Sequence, residues 1–156
     1  IFDVALKNKV GIVLVDRDED TGLGSEEDIH VWIPSSALKK DLYQDKDFDL
    51  AMLIAYRLSR NWAGKITLWM CVDKEEERAA KYYLKKLIYE SRFPPTTKIK
   101  VSSSSFKTTL KGAPQGDVHI IPITHRTKIS TIKKISDTEN KTFLFVADSG
   151  KEDVLA

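Results

Sequence analysis

Asp16, Asp18, Asp20 and Glu27 fall at the first, third, fifth and twelfth positions of a calcium-wrapping loop, with Leu23 at its apolar position. Carboxylates at that spacing can converge on a hard cation. The sixth position, however, needs a glycine for a sharp turn, and this chain has Thr21 there. The flanking segments read as strands, whereas such a loop is bracketed by helices. A solvated acidic loop between two strands accounts for the same residues.

The remaining chemistry-bearing residues are sparse. His30 and His119 lie within strand-like runs and read as structural histidines. His125 follows a strand-like run, the place where α/β sheets bind ligands. Cys71, the single cysteine, sits inside an apolar run, so it reads as a small core residue and cannot form an internal disulfide. That suits a reducing compartment. Trp32, Trp62 and Trp69 read as core packing at two positions or more. The chain contains no G-x-S-x-G, Walker A or G-x-G-x-x-G pattern.

The elements that must position these residues are easier to read. Residues 47–72 form the organising unit of helix, tight turn and strand. Leu50, Ile54 and Leu58 recur every four residues and predict an apolar face, which Ala51, Met52, Leu53 and Ala55 widen. Asp47 is placed to cap this helix, Asp49 to complement its dipole and Gly64 to end it in the left-handed conformation. Residues 66–72 are apolar apart from Thr67, as suits a strand covered on both faces. Before this unit, residues 9–15 and 29–33 predict strands, and 35–46 a surface loop or short helix.

After it, Asp73 and Glu76 form a capping-box-like pair ahead of a helix with Ala80, Leu84, Leu87 and Ile88 on its inner stripe. Pro94 and Pro95 end that helix. Residues 97–101 predict a more exposed strand, and the serine run 102–105 leads into a short turn through Leu110. Residues 117–123 predict a strand weakened by Pro122, 127–137 a helix, and 142–147 the last strand. This alternation points to one α/β domain with a mostly parallel sheet.

Bulk properties narrow the function. The 156 residues carry 25 Lys and Arg against 23 Asp and Glu, a net charge of +2. Such balance gives no electrostatic case for nucleic acid. No apolar run approaches the roughly 18 residues of a membrane span. The chain begins at Ile1 without a methionine, which suggests a piece of something longer.

The phrase D-L-A-M-L-I-A-Y-R-L-S-R-N-W-A-G-K-I-T-L resembles the C-terminal cytosolic domain of prokaryotic cation-chloride cotransporter-like permeases, of the amino acid–polyamine–organocation superfamily. The stretches N-K-V-G-I-V-L-V and I-H-V-W-I, E-E-E-R-A-A-K-Y-Y-L-K-K-L-I, and L-F-V-A-D-S-G-K-E-D-V-L-A are similar to the same family. The resemblance implies a universal-stress-protein-like fold: a five-stranded parallel core with flanking helices, here with an extra N-terminal strand. It implies a single regulatory and assembly domain over 1–156, on the cytoplasmic side of the cell membrane. Its partners would be the transmembrane part of the same polypeptide and a second copy in a homodimer. The membrane itself would be met only through the part preceding Ile1, about a dozen apolar helices. The resemblance brings no catalytic residue, metal or cofactor.

Nucleotide-binding stress proteins carry a glycine-rich phosphate loop after the fourth core strand. This chain reads P-I-T-H-R-T-K-I-S there, without glycine, which argues against ATP binding by that route. A stand-alone nucleotide-sensing stress-type protein is the alternative, and an α/β enzyme without recognisable motifs a third reading. In a stress-protein-like strand order, residues 142–147 would lie at a sheet edge. Phe143, Phe145 and Val146, with Val154 and Leu155 in the tail, are then the candidate dimer interface.

Overall fold

The computed structural model describes residues 2–44, 47–137 and 140–156; the end of the expected 35–46 loop lies outside them. The described elements are α1 (Phe2–Lys7), β1 (Ile12–Asp16), β2 (Asp28–Trp32), α2 (Asp49–Trp62), β3 (Lys65–Cys71), α3 (Glu77–Glu90), β4 (Lys98–Ser102), α4 (Phe106–Gly112), β5 (Val118–Ile123), α5 (Ile129–Ser136) and β6 (Phe143–Ala147). The short helix α1 precedes the first expected strand and was not anticipated.

One six-stranded sheet runs in the order β1-β6-β5-β2-β3-β4. β2 to β6 are mutually parallel, and β1 joins antiparallel to β6. Counted from β2, the parallel strands follow the doubly wound order 3-2-1-4-5, which reverses between β2 and β5. A parallel core with one added N-terminal strand is therefore what forms. The added strand changes the edge, however. β6 lies between β1 and β5, so residues 142–147 are not the free edge the sequence suggested. Pro122 is accommodated because the β2 ladder ends at Ile120, while the β6 ladder continues through Ile123.

Strand alternation divides the core in two. Ile29, Val31, Ile66, Leu68, Met70, Val118, Ile120 and Val146 meet α2 and α3. Trp32, Trp69, Ile121, Ile123, Phe143 and Phe145 meet the residues of α4 and α5.

Helix α2 packs through Ala51, Met52, Ala55 and Ser59, all buried. Leu50, Ile54 and Leu58 are only half-buried, so the inner line is rotated from the one the large side chains suggested. Small residues on that line let the helix lie close to the sheet. Its N-terminus is not capped by Asp47. Instead the Leu50 amide donates to both Asp148 carboxylate oxygens at 3.3 Å, from the loop after β6. Its C-terminus turns at Ala63, φ 53°, and not at Gly64. Gly64 is required for a different reason. A Cβ there would stand 2.9 Å from the Glu27 carbonyl oxygen, where the chain passes β2.

Helix α3 buries Ala80, Leu84 and Leu87 as its spacing predicts. The Asp73–Glu76 capping box does not form. A 3-10 turn, Lys74–Glu76, leads into the helix, and Asp73 contributes its carbonyl instead of its side chain. Ser105 does cap α4, its hydroxyl accepting from the Thr108 amide at 3.2 Å.

Candidate functional site

In doubly wound sheets, ligands bind outside the carboxyl ends of the strands where the order reverses. Here that place is the end of β2 and β5. A cleft of 280 Å³ opens there, lined by Trp32, Ile33, Pro34, Cys71, Phe106 and Ile121 among others. Period-2 alternation brings Trp32, Trp69 and Cys71 to one face of adjacent strands. Trp32 stacks on Trp69 with centroids 5.1 Å apart, and Phe106 of α4 meets Trp32 edge-on at 5.2 Å.

Beneath the tryptophans lie the two histidines that the sequence reads as separate structural residues. His30 of β2 and His119 of β5 face each other in register, and their rings stack at 4.7 Å. The Trp69 indole donates to His30 Nδ1 at 3.0 Å, and the Trp32 indole to His119 Nδ1 at 3.2 Å. An accepting Nδ1 places the neutral ring's proton on Nε2. His119 Nε2 then meets the Gln115 carbonyl at 2.8 Å. His30 Nε2 is buried without a partner among the described residues, packed over Gly116 at φ +57°. Burial lowers the pKa of His30. Burial, reinforced by the neighbouring His30, pushes His119 down to about 3. Both rings are therefore neutral, and their lone pairs are held by indoles. They orient the cleft's aromatic floor and have no free base nitrogen on Nδ1. The Cys71 thiol on the cleft wall is pushed up by burial, against a hydrogen bond from Thr109, so it stays protonated at neutral pH.

A second cleft, of 190 Å³, lies at the carboxyl ends of β5 and β6, lined by Asp47, Thr124, His125, Arg126, Ala147 and Asp148 among others. The loop here is the one without glycine. Three of its amides are already used: Thr124 donates to the Thr127 hydroxyl at 3.0 Å, Arg126 to the Thr124 hydroxyl at 3.3 Å, and Thr127 to the Thr124 carbonyl at 2.9 Å. Asp148, half-buried here, has its pKa raised to about 7. Burial is the main cause, opposed by the Leu50 amide and aided by the charge of Glu152. Glu152 accepts from the Ser149 amide and hydroxyl at 2.9 and 2.8 Å, which closes the D-S-G-x-E phrase on itself.

Asp18 Oδ1 accepts from the Asp20 amide, the Thr21 amide and the Thr21 hydroxyl, at 3.1, 2.7 and 2.8 Å. Asp16 accepts from Ser136. Asp16, Asp18 and Asp20 share a cleft with Arg17 and Lys141, which Glu27 does not line. Among the described residues, no group of three or more His, Cys, Asp or Glu side chains could hold a metal ion.

Four of the five expected interface residues are inside the molecule. Phe143, Phe145 and Val146 are fully buried in β6, and Val154 is buried against α2's core. Leu155 is half-buried. Phe143 stacks on Phe145 at 5.6 Å and packs against His119 at 5.9 Å. A charge at Phe145 or Val146 would be buried in the monomer, so neither position can report on dimerisation alone. No sequence signal revealed this, because it depends on β1 pairing back across the chain.

A family model described as the second C-terminal domain of the prokaryotic cation-chloride cotransporter matches residues 24–155. Among solved structures, the crystal structure of the cytoplasmic domain of a prokaryotic cation chloride cotransporter superimposes with a TM-score of 0.88 at 24% identity. The match covers 99% of this chain and 58% of the other, so this chain spans little more than half the length of that relative. None of the curated proteins matches the chain. Among the described residues, no helix is long and apolar enough to cross a membrane.

Proposed function

The chain belongs to the prokaryotic cation-chloride cotransporter family, as its second C-terminal domain, and we propose that it serves as a non-catalytic cytosolic regulatory and assembly domain of such a transporter, within the amino acid–polyamine–organocation superfamily. The observation that carries this reading is the family match over 24–155. Residues 1–156 act as one cytosolic unit whose principal partner is the transmembrane part of the same polypeptide. The geometry supports a binding role over a catalytic one. The two histidines have their Nδ1 lone pairs engaged by indoles, and the thiol is held protonated.

A homodimer belongs to the same proposal, with its surface moved from β6 to β1. β1 is the edge strand on that side of the sheet, and Val13 and Val15 on it are 42% and 64% exposed. An apolar edge of this kind needs a cover.

The test is chloride-dependent cation uptake by the complete transporter in proteoliposomes, with and without this domain. Uptake that persists at a changed rate after deletion supports the regulatory role. An unchanged rate would remove that role. Absence of chloride-dependent uptake in the complete protein would remove the cotransporter reading.

A further inference from the structure

The cleft at the ends of β2 and β5 differs from its neighbours in charge. The cleft at the ends of β5 and β6 carries Asp47, His125, Arg126 and Asp148, and the groove that shares Phe106 carries Lys107 and Lys134. Among the described residues, all eight side chains lining the 280 Å³ cleft are uncharged. Its polar side-chain atoms are the Ser35 hydroxyl and the Cys71 thiol, and the other walls are aromatic or aliphatic.

The aromatic wall is also fixed before any ligand arrives. Trp32 is held between the stacked ring of Trp69 at 5.1 Å and the edge-on ring of Phe106 at 5.2 Å. His119 and His30 accept the two indole protons from behind. Neither indole turns without leaving a buried imidazole nitrogen unpaired. A wall of this kind has little freedom left to lose on binding.

Size and polarity then select the occupant. An apolar cavity of about 150 Å³ takes one benzene ring, so 280 Å³ gives room for a fused pair of rings. A charged group would lose its hydration here and meet no counter-charge. Adenine would bring several ring nitrogens and an amino group to one hydroxyl and one thiol, and most would stay unpaired. We propose that this cleft binds a small, neutral, fused-ring aromatic molecule with few polar atoms, held against Trp32 and Phe106. The proposal rests on the non-catalytic, binding reading of this domain and names the class of ligand for it.

The test titrates quinoline, and its permanently charged analogue N-methylquinolinium, into the chain isotope-labelled at its three tryptophans, in mildly alkaline buffer. Quinoline should shift the Trp32 indole N–H resonance saturably and the Trp69 resonance less. Trp62, packed on the other face of the sheet, should stay in place. Quinoline should also slow alkylation of Cys71, the single cysteine. N-methylquinolinium should bind at least about tenfold more weakly, because its charge is buried unpaired. Ser35→Phe, at an exposed position on the rim, should fill the cleft and abolish the Trp32 shift. Phe106→Leu should weaken binding by about two- to tenfold, the range for one aromatic contact. Tyr82→Ser, exposed on α3, should change nothing. Three results would overturn the proposal: no saturable Trp32 shift with quinoline, equal or tighter binding of N-methylquinolinium, or a Trp62 shift as large as that of Trp32. None of them alters what deletion of the domain does to uptake, so the site and the regulatory reading can fail separately.

Discussion

The two faces of the sheet are built differently. One is covered by α2 and α3, each of 14 residues, and its interior is mainly aliphatic, with Phe48 and Phe93 at its margin and small residues at the closest approach. The other is covered by α4 and α5, of 7 and 8 residues, and its interior is aromatic and polar, with two indole-to-imidazole hydrogen bonds. Long helices cover their half of the sheet, and there any well-packed aliphatic set suffices. Short helices leave clefts, so that side's shape depends on specific ring contacts. The first face holds the fold. The second leaves clefts open at its surface.

The largest effects should fall on the first face. Met52→Ala or Leu84→Ala, both fully buried, should cost about 2–5 kcal/mol in urea unfolding. Ile54→Ala, at a half-buried position, should cost clearly less; equal losses at Met52 and Ile54 would break the assigned inner line.

On the second face, Trp69→Phe leaves His30 Nδ1 buried without its donor and should cost about 1–3 kcal/mol. Gly116→Ala forces a side chain onto His30 at positive φ, and a loss of about 1–3 kcal/mol is expected. If Trp69→Phe unfolded at the wild-type urea concentration, the indole bonds would be incidental.

Acid should sharpen the same contrast. Folded His119 titrates at about 3 against 6.5 for a free histidine. Between those values only the unfolded chain binds the proton. Stability is therefore full above about 6.5 and falls as pH drops toward about 3. Asp148 runs the other way. Its folded pKa of about 7 lies above 3.8, so the fold holds the proton in that window and stability falls as pH rises through it. Asp148→Asn should remove this opposing limb and steepen the rise in melting temperature between about pH 4 and 7. An unchanged profile would mean that Asp148 is not protonated in the fold.

The smallest expected signal is in ligand binding. With the loop amides of residues 124, 126 and 127 already engaged, ATP and AMP should give no heat in calorimetry. A stoichiometric micromolar signal would contradict that.

The first face was legible in the sequence because its information is local. Ala80, Leu84 and Leu87 announce α3 by spacing alone, and the apolar run ending at Val72 announces β3. The second face was not, because its contacts join strands distant in sequence. His30 and His119 are separated by most of the chain and meet only through the β2–β5 register. Asp148 caps α2 across a similar gap, which local capping rules applied to Asp47 could not foresee. The position of β6 was misjudged for the same reason. Nothing in residues 142–147 records that β1 will close over them.

The contrast between the faces is tested most directly by comparing urea unfolding of one conservative variant on each. Met52→Leu, which keeps the volume of a fully buried side chain on the first face, should cost less than about 1.5 kcal/mol. Trp69→Phe, which keeps an aromatic ring on the second face but removes the donor to His30 Nδ1, should cost more, toward about 3 kcal/mol. If Met52→Leu loses as much stability as Trp69→Phe, the two faces do not differ in this way and the account is wrong.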